Sequence, residues 1–278
     1  MFIDFLKKPI IGARRLRHDD RLSRAALDID AFLVSYPKSG RTWLRFVLSH
    51  YFAAAAGLGF EPNLKSKFRV LPNFDMLRDR GLPAFVGKTP DLPLIAVTHR
   101  EYRPWLFHAR PVIFMVRDMR DVTVSAYFHQ TRQKHRFSGT ISQFIEDRKL
   151  GVPSIIAYLN DWAARLDQLP SLVVSYEAMK ADAPATVSHI LRFLGHEPVP
   201  ALVEAAVAAG QFDRMQSLEK ERGMRGHKYD RSDDEALRMR KGKVGGYTEY
   251  LSEADVARID AFCAERLTPA AQALFNPA

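Results

Sequence analysis

The chain has 278 residues, 47% of them hydrophobic and 11% aromatic, which suffices for a sizeable core and excludes an intrinsically disordered chain. Its apolar runs, such as Ala31–Val34 and Val112–Val116, fall far short of the ~20 residues that span a bilayer. Against 32 Asp and Glu stand 41 Lys and Arg, a net charge of +9 that favours anionic partners without choosing among nucleic acid, a membrane surface and small phosphate- or sulfate-bearing molecules.

Cys263 is the single cysteine, so no internal disulfide forms, and no Cys/His cluster has zinc spacing, so no metal site is expected. No secretory signal pattern is found, and a reducing cytoplasm is the expected compartment. No repeat, low-complexity linker or Pro/Gly break divides the chain, which predicts a single domain over residues 1–278. The first 25 residues differ from the rest. Phe2, Ile3, Phe5, Leu6, Ile10 and Ile11 mix with Lys7, Lys8, Arg14, Arg15 and Arg17, a basic amphipathic arm. Such a segment suits peripheral contact of residues 1–17 with an anionic membrane. Interrupted by Pro9, it suits an arm packed on the domain better.

Ala31–Ser35 then reads as a short buried strand. A loop, Tyr36-Pro-Lys-Ser-Gly-Arg41, leads into helical spacing at Leu44, Val47, Leu48, Tyr51, Phe52 and Ala55. Leu94–Val97 and Pro111–Val116 are further candidate strands. Asp118 and Asp121 suit the start of the next helix. Thr140 and Gln143 have capping-box spacing before Ile141, Phe144 and Ile145. Ser171–Ser175 reads as a fourth strand, followed by helices near 183–194 and 200–209. The polar, Gly-bearing segment 216–246 predicts a long loop or lid, and Ser252 opens a last helix. Strands alternating with helices predict an α/β fold, a central parallel sheet flanked by helices. Ligands sit at the carboxyl ends of such strands.

Three segments carry chemistry. In Tyr36-Pro-Lys-Ser-Gly-Arg-Thr-Trp43, a loop entering a helix N-terminus aims free backbone N–H groups and the positive dipole end at an anion. Gly40 permits close approach, Lys38 adds a charge, and Ser39 and Thr42 add hydroxyls. The common G-x-x-x-x-G-K-[ST] pattern is not met, yet the inference of a phosphate cradle stands. Trp43 reads either as a ring that stacks on a base or as core. In Arg117-Asp-Met-Arg-Asp-Val-Thr-Val-Ser125, a guanidinium leaving a strand and a hydroxyl two turns into the following helix suit a second phosphate. Arg240-Lys-Gly-Lys-Val-Gly-Gly246 suits a lid over an anion, or an ordinary basic loop.

Taken in this order, Tyr36–Trp43, Arg117–Ser125 and Arg240–Gly245 resemble the motifs of the sulfotransferases that use 3′-phosphoadenosine 5′-phosphosulfate (PAPS). The resemblance spans roughly residues 31–246. It implies a P-loop-like phosphosulfate-binding loop formed by Lys38, Ser39, Gly40, Arg41 and Thr42. It also implies charge stabilisation by Lys38 and a 3′-phosphate site of Arg117, Ser125, Arg240, Lys241 and Gly242. Trp43, Tyr176 and Phe212 are implied near the adenine. The implied reaction is in-line transfer of the sulfuryl group to an acceptor hydroxyl, with release of adenosine 3′,5′-bisphosphate (PAP) and no required metal.

Cytosolic members carry a K-T-H segment whose histidine is the general base. Here Ala96-Val-Thr-His-Arg100 puts His99 at the matching position, with Val97 where the lysine stands. Asp91 and His108 are the alternative bases. Arg41 replaces a small residue of the family loop, Gly246-Tyr247 replaces Asp-Trp, and the family's C-terminal dimer signature is not evident, which leaves the oligomeric state open. Two rival readings remain at this point: a P-loop kinase, which predicts Mg²⁺-dependent ATP binding, and a polyanion-binding module, which predicts steep salt dependence. The pairing of compact anion sites favours a small bis-phosphorylated ligand over nucleic acid. The acceptor is expected to be a carbohydrate or small natural product, selected by loops around 57–90, 130–155 and 216–246. Phe60, Phe68, Phe74, Phe85, Tyr102, Trp105 and Phe137 are candidates for an apolar lining, or core. The basic stretches 65–69 and 132–136 leave an anionic or saccharide acceptor open.

Overall fold

Four runs of mostly β-branched and apolar residues become strands: β1 (Ala31–Ser35), β2 (Ile95–Thr98), β3 (Val112–Val116) and β4 (Ser171–Ser175). In this computed structural model, which describes residues 18–224 and 229–275, they form one parallel sheet in the order β2-β1-β3-β4. Register pairs Val34 with Thr98 on one side and with Phe114 on the other, and Val116 with Ser175. All four carboxyl ends therefore open on one edge of the sheet.

Side chains alternate across each strand, and both faces are buried. Phe32, Val34, Ala96, Val112, Phe114 and Val116 join one core cluster, whereas Ala31, Leu33, Ile95, Val97, Ile113 and Met115 join the other. On the first face lie α1 (18–26), α6 (Val152–Leu166), α11 (Glu253–Arg266) and α12 (Pro269–Ala273). On the second lie α2 (Arg41–Ala55), α8 (Ala183–Phe193) and α9 (Pro200–Ala209). The other helices are α3 (Pro104–Phe107), α4 (Met119–Phe128), α5 (Ile141–Glu146), α7 (Tyr176–Ala181) and α10 (Phe212–Arg222). Asp118 caps α4 by accepting from the Arg120 and Asp121 N–H groups, and Thr140 with Gln143 and Ser252 with Asp255 form capping boxes.

The structure departs from the sequence-based expectations in several places, the short helices α3 and α7 among them. The end of the N-terminal arm is helix: Leu22 and Ala26 are fully buried, and Asp19 pairs with Arg100 at 3.2 Å. The amphipathic reading of residues 1–17 lies outside the described residues. α10 extends to Arg222, so the expected lid at 216–246 begins as helix; its contact side faces the site, and only Met215 and Glu219 are buried. α6 is not among the expected helices, and its first turn falls within the loop expected around 130–155. α12 follows the helix taken as the last one. Among the described residues, no helix is long and apolar enough to cross a membrane.

α6 carries Trp162, fully buried against Tyr102, Phe107 and Phe114. Its Nε1–H donates to the Arg100 carbonyl at 3.0 Å, and Asp161 accepts from the Tyr102 N–H at 3.0 Å. The helix thus fixes the backbone that leaves β2. Trp162→Ala is expected to cost about 3–5 kcal/mol, read as a lowered urea midpoint with an unchanged slope.

Candidate active site

Each strand end delivers one element to the same crevice, where an open parallel sheet offers its ligand site. After β1, the chain turns through Lys38 at φ 79° and Gly40 at φ 94° into α2. Both angles are left-handed, and a Cβ on Gly40 would collide with the Tyr176 ring, so glycine is required there. Lys38 adopts a conformation uncommon for a long side chain, held by the surrounding loop. The first turn of α2 has no side-chain cap and no acidic residue, which leaves its N–H groups and dipole for an external anion.

After β3, Arg117 pairs with Asp121 at 3.2 Å, donates to the Lys243 carbonyl at 3.0 Å and stacks over the Tyr176 ring at 4.2 Å. After β4, Tyr176 opens α7, buried, and meets Trp43 edge-on at 5.7 Å. Two buried carboxylates bring in the C-terminal basic segment. Asp121 accepts from the Gly245 and Tyr247 N–H groups, both at 3.0 Å. Glu219 accepts from the Arg238 and Met239 N–H groups, both at 2.9 Å, and from the Tyr229 hydroxyl. Arg240 pairs with Glu235 at 3.0 Å and Lys241 with Glu249 at 3.1 Å. Gly242, at φ 63°, packs where a Cβ would strike the Phe212 ring.

These elements enclose a cavity of about 280 Å³. Lys38, Gly40, Arg41, Thr42, Trp43, His99, Arg117, Ser125, Tyr176, Phe212, Arg240, Lys241 and Gly242 all line it. Of the residues expected to hold the nucleotide, Ser39 alone does not line it; it is buried beneath the loop. Asp91 and His108 are exposed and line neither this cavity nor its neighbour; His108 contacts Ser23 instead. The sequence reading missed Arg238 and Lys180, which also line the cavity, and the clamping pair Asp121 and Glu219. Arg238 precedes Arg240 by two residues, which is the one signal that marked it.

The cavity is strongly cationic. Burial, with Arg238, Arg240 and Arg117 nearby, pushes the Lys38 ammonium down to about 7. Burial and Arg238 push Arg41 down to about 9. Arg41 Nη1, Trp43 Nε1 and Arg117 Nε are buried there without hydrogen-bond partners among the described residues. A polyanion carrying a planar base fits such a wall: it supplies acceptors for the orphaned donors and charge for the crowded cations.

A second cavity of about 560 Å³ adjoins the first, and Arg41 and His99 line both. His99 lies within 2.6 Å of the Ser35 carbonyl through Nδ1. A carbonyl only accepts, so Nδ1 carries the proton and Nε2 of the neutral ring is an acceptor. The His99 residue is exposed where the two cavities meet. Enclosure by the cavity walls and the Arg41 charge both hold its pKa well below the usual imidazole range.

A family model described as "Sulfotransferase domain" matches residues 28–270. The chain belongs to the sulfotransferase family. Flavonol 3-sulfotransferase of Flaveria bidentis is 29% identical over 258 residues, covering 86% of this chain and 81% of its own. Amine sulfotransferase of Oryctolagus cuniculus is 23% identical, covering 86% and 81%. Among solved structures, mouse sulfotransferase SULT7A1 complexed with PAP aligns with a TM-score of 0.64 at 21% identity, covering 93% of this chain and 94% of that one. Family membership makes this chain a sulfotransferase and sets the kinase and polyanion-module readings aside.

His129 of this sulfotransferase stands at the end of α4 and bonds Gln133 at 2.7 Å. Burial, then the charges of Lys38 and Arg238, push it down to about 3. In the unfolded chain it titrates near 6.5. Below that pH the unfolded state takes up a proton that the folded state does not, so stability falls as pH is lowered. Between pH 7 and 5 this histidine is expected to remove about 1–2 kcal/mol, and His129→Gln to abolish that share, measured by urea titration at both pH values.

Proposed function

We propose that this sulfotransferase moves the sulfuryl group of PAPS to an acceptor hydroxyl on a carbohydrate or small natural product, in the cytoplasm, with His99 as general base. The observation that carries the reading is the tautomer of His99: with Nδ1–H committed to Ser35, its basic Nε2 stands where the cation-lined cavity meets its neighbour.

Lys38, Gly40, Arg41 and Thr42, with the first N–H groups of α2, would hold the 5′-phosphosulfate end, and Ser39 would shape the loop from beneath. Arg117, Ser125, Arg240, Lys241 and Gly242 would hold the 3′-phosphate. Trp43, Tyr176 and Phe212 supply aromatic surface for the adenine, consistent with their shared lining of one cavity. When bound, PAPS supplies an activated sulfuryl group with a good leaving group. Nε2 of His99 accepts the proton of the acceptor hydroxyl, and its lowered pKa keeps the ring neutral and ready to do so. Lys38 carries the charge that offsets negative charge building on the departing oxygen. The protein otherwise positions the partners, as in phosphoryl transfer.

Calorimetric titration with PAP, without magnesium and with ADP and ATP as controls, tests the donor site. Binding that requires the 3′-phosphate and weakens by about tenfold or more in Arg117→Ala is expected. No preference for PAP over ADP would sink the assignment. His99→Ala is expected to keep PAP affinity and lose at least about a hundredfold in turnover.

Lys38 gives a second check. With its free-state pKa at about 7, it is only part-charged at neutral pH. A bound anion favours the charged form, so binding takes up a proton and weakens as pH rises above 7, by up to about tenfold per pH unit. Titrations in two buffers of different ionisation enthalpy read the uptake directly, and Lys38→Met removes it.

A further inference from the structure

The second cavity departs from what a flat apolar acceptor needs. It is built by the start of α1, the segment 73–75 and the end of β2, and it touches the first cavity only at Arg41 and His99. An acceptor that reaches His99 from outside the nucleotide's cavity must occupy it. The sequence suggested aromatic walls, yet of the seven aromatic candidates Phe74 alone lines either cavity, and it is spent on the core, stacked edge-on with Phe32 at 4.9 Å. Val97, at the position of the family's lysine, is buried too. Among the described residues, the remaining lining is polar.

Two of its side chains are set to bind hydroxyl groups. Asn73 Oδ1 accepts from Arg45 Nη1 at 2.8 Å, and Arg45 is itself buried and anchored on the Leu71 carbonyl. That bond fixes the amide's orientation and leaves its NH₂ as a donor. Asp75 Oδ1 accepts from the Leu77 N–H at 2.9 Å, which holds the carboxylate in place, and Oδ2 makes no hydrogen bond among the described residues. A donor and an acceptor held two residues apart match the paired donor-and-acceptor character of neighbouring hydroxyls. The charges balance: Asp19 and Asp75 stand against Arg41 and Arg100, with Asp19 already paired to Arg100 at 3.2 Å. Neither an anionic nor a cationic acceptor is favoured. An apolar ring would strip water from Asp75 and Asn73 without replacing its hydrogen bonds.

We propose that the second cavity is a saccharide-type acceptor subsite, in which Asn73 and Asp75 hold the hydroxyls of a neutral, polyhydroxylated molecule while another of its hydroxyls meets His99. This rests on the donor and base reading given above. The Lys65–Arg69 stretch adds no surface charge to the choice at its centre, because Lys67 is buried with Nζ on the Leu64 carbonyl.

The full chain, supplied with PAPS, is assayed for sulfate transfer to a panel of neutral mono- and disaccharides and alkyl glycosides, with 2-naphthol and a 3-hydroxysteroid as apolar competitors. The expected result is that the best saccharide exceeds both competitors in kcat/KM by about tenfold or more. Asp75→Asn and Asn73→Leu should each raise KM for that saccharide by about tenfold, with PAP affinity and kcat within about threefold of the parent. Asp75→Asn keeps size and one acceptor, and a parental circular dichroism spectrum and melting temperature establish that each variant is folded. Preference for naphthol or the steroid, no saccharide turned over by protein that binds PAP, or an unchanged KM in both folded variants overturns the proposal alone. Failure of the parent to bind PAP overturns the donor reading and this one with it.

Discussion

Two buried carboxylates hold the site together. Glu219 on α10 and Asp121 on α4, both nearly or fully buried, accept backbone N–H groups from residues 238–239 and 245–247 and so draw the basic C-terminal segment over the strand ends. The cavity wall they complete carries Lys38, Arg41, Arg117, Arg238 and Arg240. Like charges at such spacing repel, and burial raises the cost of each. Asp121 offsets this locally through Arg117, and Glu219 acts on Lys38 in the direction opposite to the arginines. The segment is held by hydrogen bonds from backbone to charged oxygens, which are stronger than neutral ones and fix its register.

The loop after β1 differs from the common phosphate-binding loop in the order of its residues. Lys38 comes before Gly40 and rises through a left-handed turn, so its ammonium reaches the cavity from the loop while α2 supplies the N–H groups. The other cations arrive from later strands and from the distant segment. The cationic cavity is distributed over the carboxyl edge of the sheet, and the segment after each strand contributes to its lining.

His99, the proposed base, is positioned by a different chain of contacts. Trp162 on α6 fixes the Arg100 carbonyl, β2 fixes Thr98, and the Ser35 carbonyl at the end of β1 takes the Nδ1 proton of the histidine between them. The ring therefore has one tautomer by geometry. Arg41, at the junction of the two cavities, lines both and lowers the His99 pKa, so it joins their electrostatics.

Local signals fixed much of this in advance. Strands at Ala31–Ser35 and Ser171–Ser175, the Asp118 cap and the capping boxes at Thr140 and Ser252 depend on neighbours within a few residues, and the linear order of residues contains them. The three segments that meet at the cationic cavity were legible for the same reason, since each is a short loop with its own chemistry. α6 begins inside the segment expected as a loop around 130–155, yet proline is well tolerated in a first helical turn and the apolar stripe behind it packs against the sheet. What only the tertiary structure decided were the pairings across distance: Asp121 with residue 245, Glu219 with residue 238, Asn73 with Arg45, and the second cavity beside His99. No local pattern encodes them, because a buried carboxylate or amide takes its role from whichever backbone or guanidinium the fold packs against it.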